Sequence, residues 1–215
     1  MPTQFQVTRE SPDHNYYVVT DDDQGGQHQF YIENAPYATQ KSDLTFYDGA
    51  DSDGPVIGLS KFLRGSADCD VTLVDEQLKE DWVCVMKKGF MSMKYTFQIP
   101  VRGELGSFAW KKTRSIGSGS TSHGNMKLVD EQSQDVVAVF SSDRFSLVTG
   151  RLDMREDYGD SFDRWALVTG IAVRESQRRQ NVRSMRAKEN VYSMGGSGGG
   201  VGLAGGGKGM AGGGA

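Results

Sequence analysis

Short segments in which apolar and polar residues alternate recur along most of the chain. In Gln4–Thr8, for example, Phe5 and Val7 fall on one face and polar residues fall on the other. Such alternation predicts half-buried β-strands, and the Gly, Asp and Ser clusters between the segments predict turns. About twelve strands are predicted in this way, at Gln4–Thr8, Tyr16–Thr20, His28–Glu33, Asp43–Tyr47, Val56–Lys61, Cys69–Val74, Trp82–Lys87, Lys94–Pro100, Gly106–Lys111, Met126–Val129, Asp135–Phe140 and Phe145–Met154.

One later segment, Trp165–Val173, is apolar throughout and lacks a polar face. A helix that is apolar all round has to be surrounded by protein or lipid. The run is much shorter than the roughly 20 residues that span a bilayer, so we expect the preceding strands to wrap it. The predicted fold is therefore all-β with one buried helix: a closed or nearly closed antiparallel barrel of about twelve strands around a C-terminal hydrophobic α-helix.

The helix is predicted near residues 160–179, because Asp160 or Ser161 can cap its first turn. Arg174–Arg179 is polar on all sides, so the helix is expected to leave the protein interior near Arg174. We place the barrel domain at residues 1–190. Residues 191–215 are rich in glycine and are predicted to form a disordered tail, since they cannot bury enough surface to offset their backbone entropy.

The formal net charge of −4 conceals an uneven distribution along the chain. Met1–Met86 holds 5 basic and 16 acidic residues, whereas Lys87–Arg114 holds 7 basic residues and 1 acidic residue. Arg174–Asn190 is a second basic stretch, with 6 basic and 2 acidic residues. Two basic stretches on an acidic chain indicate an anionic partner, although a solvated surface of mixed charge is the alternative explanation. The candidate ligand-binding residues are Lys87, Lys88, Lys94, Lys111, Lys112 and Arg114.

Lys112 and Arg114 are expected to share a face of one strand, because side chains alternate with a period of two. Several ammonium and guanidinium groups on neighbouring strands can hold a multiply charged phosphate, which makes an anionic membrane lipid the expected ligand. Nucleic acid is not expected, since the acidic remainder of the chain would repel a long polyanion and no aromatic-basic RNA motif occurs.

The sequence offers little for catalysis or metal binding. Its three histidines, His14, His28 and His123, lack partners at metal-ligand spacing, and the acidic turns do not fit a calcium-binding loop. Gly195–Gly199 matches the pattern around a nucleophilic serine, but it lies in the glycine-rich tail rather than between a strand and a helix. We therefore predict a protein that is not an enzyme and needs no metal or cofactor.

The two cysteines, Cys69 and Cys84, lie inside predicted strands and are expected to be free thiols in a reducing compartment. The first residues do not show a secretory signal, and no apolar run is long enough to span a membrane. The prediction is a cytoplasmic protein that is not transmembrane, with the nucleus and the membrane periphery as alternatives.

Several stretches also resemble a known family. They are Phe97–Pro100, Gly106–Thr113, Met126–Asp130, Val136–Phe140 and Tyr158–Phe162. Together with the layout of strands followed by one apolar helix, they resemble small fungal members of the tubby C-terminal-like superfamily, which includes tubby proteins, plant LURP-one-related proteins and phospholipid scramblases. The resemblance implies a barrel around a central helix and, as in tubby proteins, phosphoinositide binding through lysines and arginines on adjacent strands.

Two functional hypotheses follow. The first is a non-enzymatic binding or adaptor module that recognises anionic, phosphoinositide-type lipid head groups or an unidentified protein partner. The second is phospholipid handling, meaning scrambling or lipid carriage, although the chain lacks the cysteine cluster and calcium loop of scramblases. The space beside the helix discriminates between them, because an interior filled by Trp165, Leu167 and Ile171 leaves no room for a lipid.

Overall fold

The computed structural model of the protein describes residues 3–9, 16–21, 27–35, 42–74, 81–89, 93–113, 125–141 and 148–195. The chain divides into two units, Met1–Arg179 and Gln180–Ala215. The first unit contains twelve strands and the first part of the helix α1 (Asp160–Gly195). The second unit contains the remainder of that helix.

The strands form one antiparallel sheet. They are β1 (Gln4–Arg9), β2 (Tyr16–Asp21), β3 (Gln27–Asn34), β4 (Leu44–Asp48), β5 (Val56–Phe62), β6 (Cys69–Leu73), β7 (Val83–Lys88), β8 (Lys94–Val101), β9 (Glu104–Lys112), β10 (Met126–Asp130), β11 (Val136–Ser141) and β12 (Val148–Met154). Each strand pairs with its neighbours in the sequence. β1 also pairs with β12, with Phe5 opposite Leu152, so the sheet closes on itself as a barrel.

The prediction of an antiparallel β-sheet with one C-terminal helix is confirmed, and the predicted strands match the observed ones in order and within three residues at each end. The helix begins at Asp160, within the predicted region, but it continues to Gly195 instead of ending near Arg179. Residues 180–195 include Ala, Arg, Lys, Glu and Met, which favour helix. The rest of the predicted disordered tail, residues 196–215, lies outside the described residues.

The core lies between the sheet and the apolar part of α1. Inward-facing residues such as Phe97 and Phe108 alternate with outward-facing polar ones along the strands. Leu167, Val168 and Ile171 of α1 are at most 2% exposed. Each buried side chain of this size contributes about 1.5–3 kcal/mol to the free energy of unfolding. The helix and the strands therefore depend on each other for burial.

Two small residues let α1 approach the sheet closely. A Cβ atom added at Gly58 of β5 would lie 3.1 Å from Val168, and one added at Gly170 would lie 3.1 Å from the Trp110 ring. Trp110 Nε1 donates a 3.1 Å hydrogen bond to Thr169 Oγ1, which itself donates to a backbone carbonyl one turn earlier. The buried indole and the buried hydroxyl thus satisfy each other inside an otherwise apolar contact.

The two ends of the barrel differ in the connections they carry. The connections from odd-numbered to even-numbered strands lie at one end, which we call the upper end. The other connections and the start of α1 lie at the lower end. The helix runs from the lower end to the upper end, where Ser176 Oγ donates a 2.8 Å hydrogen bond to the carbonyl of Ala67 in the β5–β6 connection.

The expectation that the helix leaves the interior near Arg174 is wrong. Glu175, Ser176 and Arg179 are all buried, with at most 8% of their surface exposed. Polar side chains can be buried when their hydrogen-bonding groups have partners, and here the upper ends of the strands supply those partners. A polar sequence thus extends the enclosed part of the helix by more than one turn.

Leu167→Asp should prevent folding, because it places a carboxylate in the apolar core, at a fully buried position of α1, at a cost of several kcal/mol. That penalty is comparable to the whole stability of a domain, about 5–15 kcal/mol. We expect insoluble protein or no cooperative unfolding transition by circular dichroism. Met185→Asp, at a 65% exposed position of the same helix, is the matched control and should fold normally. A folded Leu167→Asp variant with an unchanged Tm would contradict the enclosure of α1.

Candidate functional site

Four lysines on neighbouring strands lie directly opposite one another toward the upper end of the barrel. Lys88 of β7 is opposite Lys94 of β8, and Lys94 is opposite Lys111 of β9. Lys111 is in turn opposite Lys127 of β10. Each alternates with buried residues of its strand and therefore points to the outer face. Neighbouring strands lie about 4.8 Å apart, so this lysine row spans roughly 14 Å.

The predicted binding residues are divided between two faces of the sheet. Three of them belong to the lysine row: Lys88, Lys94 and Lys111. Lys87 and Lys112 each adjoin a member of the row in sequence, so their side chains point to the opposite face at the rim of the barrel. Arg114 lies outside the described residues. The single basic cluster expected from the sequence is therefore corrected to a row of three predicted lysines plus Lys127.

The lysine row concentrates like charge on one outer surface. Like charges directly opposite each other destabilise a sheet. Lys94 Nζ forms an ion pair with Glu131 Oε1 at 2.6 Å, whereas Lys111 and Lys127 make no ion pair with any residue that the structure describes. A bound anion would relieve the remaining repulsion, so the row is suited to holding negatively charged groups.

The lower end carries the opposite charge. Its described connections and the adjoining ends of strands and helix hold a series of acidic residues: Asp48, Asp51, Asp53, Asp81, Asp130, Glu131, Asp135, Glu156, Asp157 and Asp160. Arg102 and Arg155 are the basic residues in those described connections. Among the described residues, the lower end is therefore predominantly acidic.

A groove of about 500 Å³ lies beside the lysine row on the outer face of β7, β8 and β9. Thr96 and Gln98 line it together with Met86 and Leu105, which are 41% and 69% exposed. Lys88 Nζ lies 3.9 Å from the Met86 sulfur atom. Of these two exposed apolar side chains, Met86 therefore adjoins the lysine row, whereas Leu105 lies near the opposite end of β9.

A buried carboxylate organises the upper part of α1. Glu175 accepts hydrogen bonds from Arg178 at 2.7 and 2.8 Å and from Arg179 at 2.9 Å. The Tyr16 hydroxyl donates a further bond of 2.6 Å, and the Asn34 amide donates one of 3.3 Å. Because Tyr16 and Asn34 belong to β2 and β3, this carboxylate ties the helix to two strands of the barrel.

Arg179 extends the network to a third element. It donates hydrogen bonds of 2.7 Å to Asp43 Oδ1 and 2.9 Å to Asn34 Oδ1. Its guanidinium carbon lies 4.2 Å from the centroid of the Phe62 ring, a cation–π contact. Two carboxylates and an aromatic face therefore compensate the burial of this guanidinium.

The network sets the protonation states of its members. Burial alone would raise the pKa of Glu175, but hydrogen bonds from Arg178, Tyr16 and Arg179 lower it to about 2. Burial, followed by the negative charge of Glu175, raises the pKa of Tyr16 well above its usual range. At neutral pH Glu175 is therefore ionised and Tyr16 is a neutral hydrogen-bond donor.

A cavity of about 210 Å³ adjoins this network at the upper end. Its lining residues come from β1, β2, β11 and α1: Val7, Arg9, Tyr16, Phe140, Ile171, Arg174 and Arg178. Three of these carry guanidinium groups and none is acidic. The cavity therefore combines an apolar floor with a positively charged rim, and we call it the arginine cavity.

Among the residues that the structure describes, no group of three or more His, Cys, Asp or Glu side chains is placed to hold a metal ion. Within the same residues, α1 is not apolar over a length sufficient to cross a membrane. Cys69 is buried and Cys84 is exposed, and both are free thiols.

Four basic residues of the lysine row and the arginine cavity were not predicted as binding residues: Lys127, Arg9, Arg174 and Arg178. Lys127 is a single lysine in its strand, and only its register opposite Lys111 places it in the row. Arg9 and Arg174 are distant in the sequence and meet because α1 runs inside the barrel next to β1. The polar stretch Arg174–Arg179 is the sequence signal for the cavity and the ion network, although its pattern by itself predicts a solvent-exposed continuation of the helix.

Replacing Glu175 with Gln should destabilise the protein by about 3–5 kcal/mol at neutral pH, the usual effect of breaking a buried ion pair. The pKa of Glu175 is lower in the folded protein than the value of about 4.3 in an unfolded chain. The carboxylate therefore stabilises the fold above about pH 4.3, and this contribution is lost as the pH falls toward 2.

The measurement is urea unfolding of both proteins at a series of pH values, with the exposed Glu156→Gln as control. The difference in free energy of unfolding between the wild type and Glu175→Gln should shrink below about pH 4. A difference that stays constant down to the lowest pH would contradict the assigned ionisation of Glu175.

Comparison of the chain with known protein families, with curated proteins and with solved structures found no match. The functional conclusion therefore depends on the charges and cavities described above.

Proposed function

We propose that the protein is a non-enzymatic binding module that recognises surfaces rich in anionic lipid head groups. The lysine row is the observation that carries this proposal: four ammonium groups lie in register on four adjacent strands. Groups spaced in this way can contact several head-group phosphates at once. Each basic residue near an anionic membrane contributes about 1 kcal/mol of attraction.

The acidic residues described at the lower end support a defined orientation on such a surface. They are repelled by anionic lipids, while the lysine row is attracted to them. Exposed charges are screened beyond roughly 8 Å at physiological ionic strength, so only the charges nearest the surface contribute strongly. Attachment from the cytoplasm to the membrane periphery is the arrangement that we propose.

The apolar side chains next to the row favour a lipid surface over a purely aqueous polyanion. Met86 is 41% exposed and lies beside Lys88. An unbranched thioether in this position can enter the boundary between head groups and acyl chains while the lysines remain at the phosphates.

Lipid carriage or scrambling is less well supported. Trp165, Leu167 and Ile171 of α1 occupy the barrel interior, and each is at most 6% exposed. The arginine cavity, at about 210 Å³, is smaller than the roughly 300–1,000 Å³ of typical drug-sized ligand pockets. It has no room for a phospholipid with two acyl chains, so we favour recognition of head groups at the surface.

The fold also supports, as a proposal, a relationship with the tubby C-terminal-like proteins. Twelve antiparallel strands that close around an apolar C-terminal helix are the layout expected from that resemblance. Basic residues on adjacent strands are likewise the arrangement that the resemblance implies for phosphoinositide binding. On this basis phosphoinositide-type head groups are the first lipids to test.

The double variant Lys111→Glu/Lys127→Glu should bind vesicles that contain phosphatidylserine or a phosphoinositide at least about thirtyfold more weakly than the wild type. Loss of two basic contacts removes about 2 kcal/mol, and each 1.4 kcal/mol is about tenfold in affinity. Vesicle sedimentation at low ionic strength measures the effect. The difference should diminish as salt is added, because exposed charges are screened.

Arg155→Glu/Arg164→Glu is the matched control, since it changes the net charge equally with two exposed residues at the lower end. It should retain most of the affinity. Equal losses in the two double variants would show that net charge, and not the lysine row, governs binding. Absence of vesicle binding by the wild type at low salt would refute the lipid proposal altogether.

A further inference from the structure

The groove beside the lysine row continues along the outer face of the same strands. Side chains on one face of a strand recur at every second residue. Thr96 therefore follows Lys94 on the outer face of β8, and Ser107 and Leu105 share the outer face of β9 with Lys111. The groove thus leads from the lysine row toward the lower end of the barrel.

The width of the groove suits a single extended chain. Apolar side chains stand on both of its sides, Met86 on β7 and Leu105 on β9, with β8 between them. Neighbouring strands are about 4.8 Å apart, so the backbones that carry these side chains are separated by roughly 10 Å. An α-helix with its side chains is about 10–12 Å across. The space therefore favours an extended chain over a helix.

The floor of the groove is polar. Thr96, Gln98 and Ser107 present hydroxyl and amide groups to it. A bound acyl chain would cover these groups without replacing their hydrogen bonds to water, which carries a free-energy penalty. A peptide offers backbone N–H and C=O groups along its whole length, so it can satisfy them. A polar floor between apolar sides therefore favours a peptide over an acyl chain.

The lysine row sets the charge that suits the upper end of a bound peptide. Lys111 lies on the same face as the groove and makes no ion pair with any residue that the structure describes. Lys94 is paired with Glu131, which itself lines the groove. An acidic residue at this end of a peptide would meet Lys111, whereas a basic residue would be repelled by the row.

We propose that the groove binds an extended peptide segment of a partner protein. An acidic residue lies at the end beside Lys111, and apolar residues contact Met86 and Leu105. The peptide backbone lies over the polar floor and exchanges hydrogen bonds with it. Peptide binding does not require lipid binding, so either proposal can fail without the other.

Selection from a randomised library of eight-residue peptides, the length of β8, against the full chain tests the proposal. We expect enriched sequences that carry apolar residues in the middle and an acidic residue at one end. A synthetic copy of the most enriched sequence is then titrated by fluorescence anisotropy. It should bind Leu105→Ser at least about tenfold more weakly than the wild type, because an apolar contact is lost. Gln98→Ala should also weaken binding, through loss of a hydrogen bond from the floor.

Leu63→Ser is the matched control. Leu63 is a second exposed leucine, at 38%, and it does not line the groove, so this variant should bind the peptide as the wild type does. Leu105→Ser should retain the wild-type affinity for anionic vesicles, because Leu105 is remote from the lysine row on β9. Loss of peptide and vesicle binding together in Leu105→Ser would contradict a separate peptide site.

Cys84 reports directly on where the peptide lies. It lines the groove and is exposed, whereas the other cysteine, Cys69, is buried. The selected peptide at saturation should slow the alkylation of Cys84 by iodoacetamide severalfold. The same peptide concentration should give much less protection in Leu105→Ser.

Several results would overturn the proposal: no enriched sequence, enriched sequences without an acidic end, equal affinity for the wild type and Leu105→Ser, or unchanged alkylation of Cys84. Titration with laurate tests the alternative ligand. Saturable laurate binding that disappears in Leu105→Ser, without enrichment of any peptide, would also overturn the proposal and assign the groove to an acyl chain.

Discussion

The enclosure of a helix that has no polar face is the constraint on which the rest of this structure depends. A helix satisfies its own backbone hydrogen bonds, so its apolar side chains only need apolar neighbours on every side. A flat sheet covers one side of a helix, whereas strands arranged all round it cover every side. The inward residues of the barrel and the run Trp165–Val173 bury one another, with Thr169 and Trp110 satisfying their polar atoms together.

The enclosed part of the helix ends at the upper end of the barrel, and the buried ion network around Glu175 lies there. Glu175 joins α1 to β2 and β3 through hydrogen bonds that are charge-assisted and buried. Such bonds are strong and geometrically demanding, so they fix the rotation of the helix as well as its depth. The same rotation directs Arg174 and Arg178 toward the space beside Arg9 and Phe140. The stability of the upper end and the lining of the arginine cavity therefore arise from one set of contacts.

Much of the fold could be predicted because local patterns encode it. Alternation located the strands, and the run beginning at Trp165 located the enclosed helix. The pairing of strands is different, because register depends on partners that are far apart in the sequence. Lys127 joins the lysine row only through its place opposite Lys111, and a shift of one residue would have turned it to the other face. The same alternation points the side chains of Lys87 and Lys112 away from the lysine row. A count of basic residues along the chain cannot show this.

The polar residues of α1 show a second limit of local patterns. Glu175 and Arg179 look solvent-exposed in the sequence, because a charged residue is rarely buried without partners. Their partners, Tyr16, Asn34 and Asp43, lie near the other end of the chain.

The position of α1 in the chain also constrains how the protein folds. The strands that enclose the helix are synthesised before the helix itself, and β1 cannot pair with β12 until β12 has been made. Contacts of such long sequence separation make folding slow, and they leave the nascent strands with exposed apolar faces until β12 and α1 have been made.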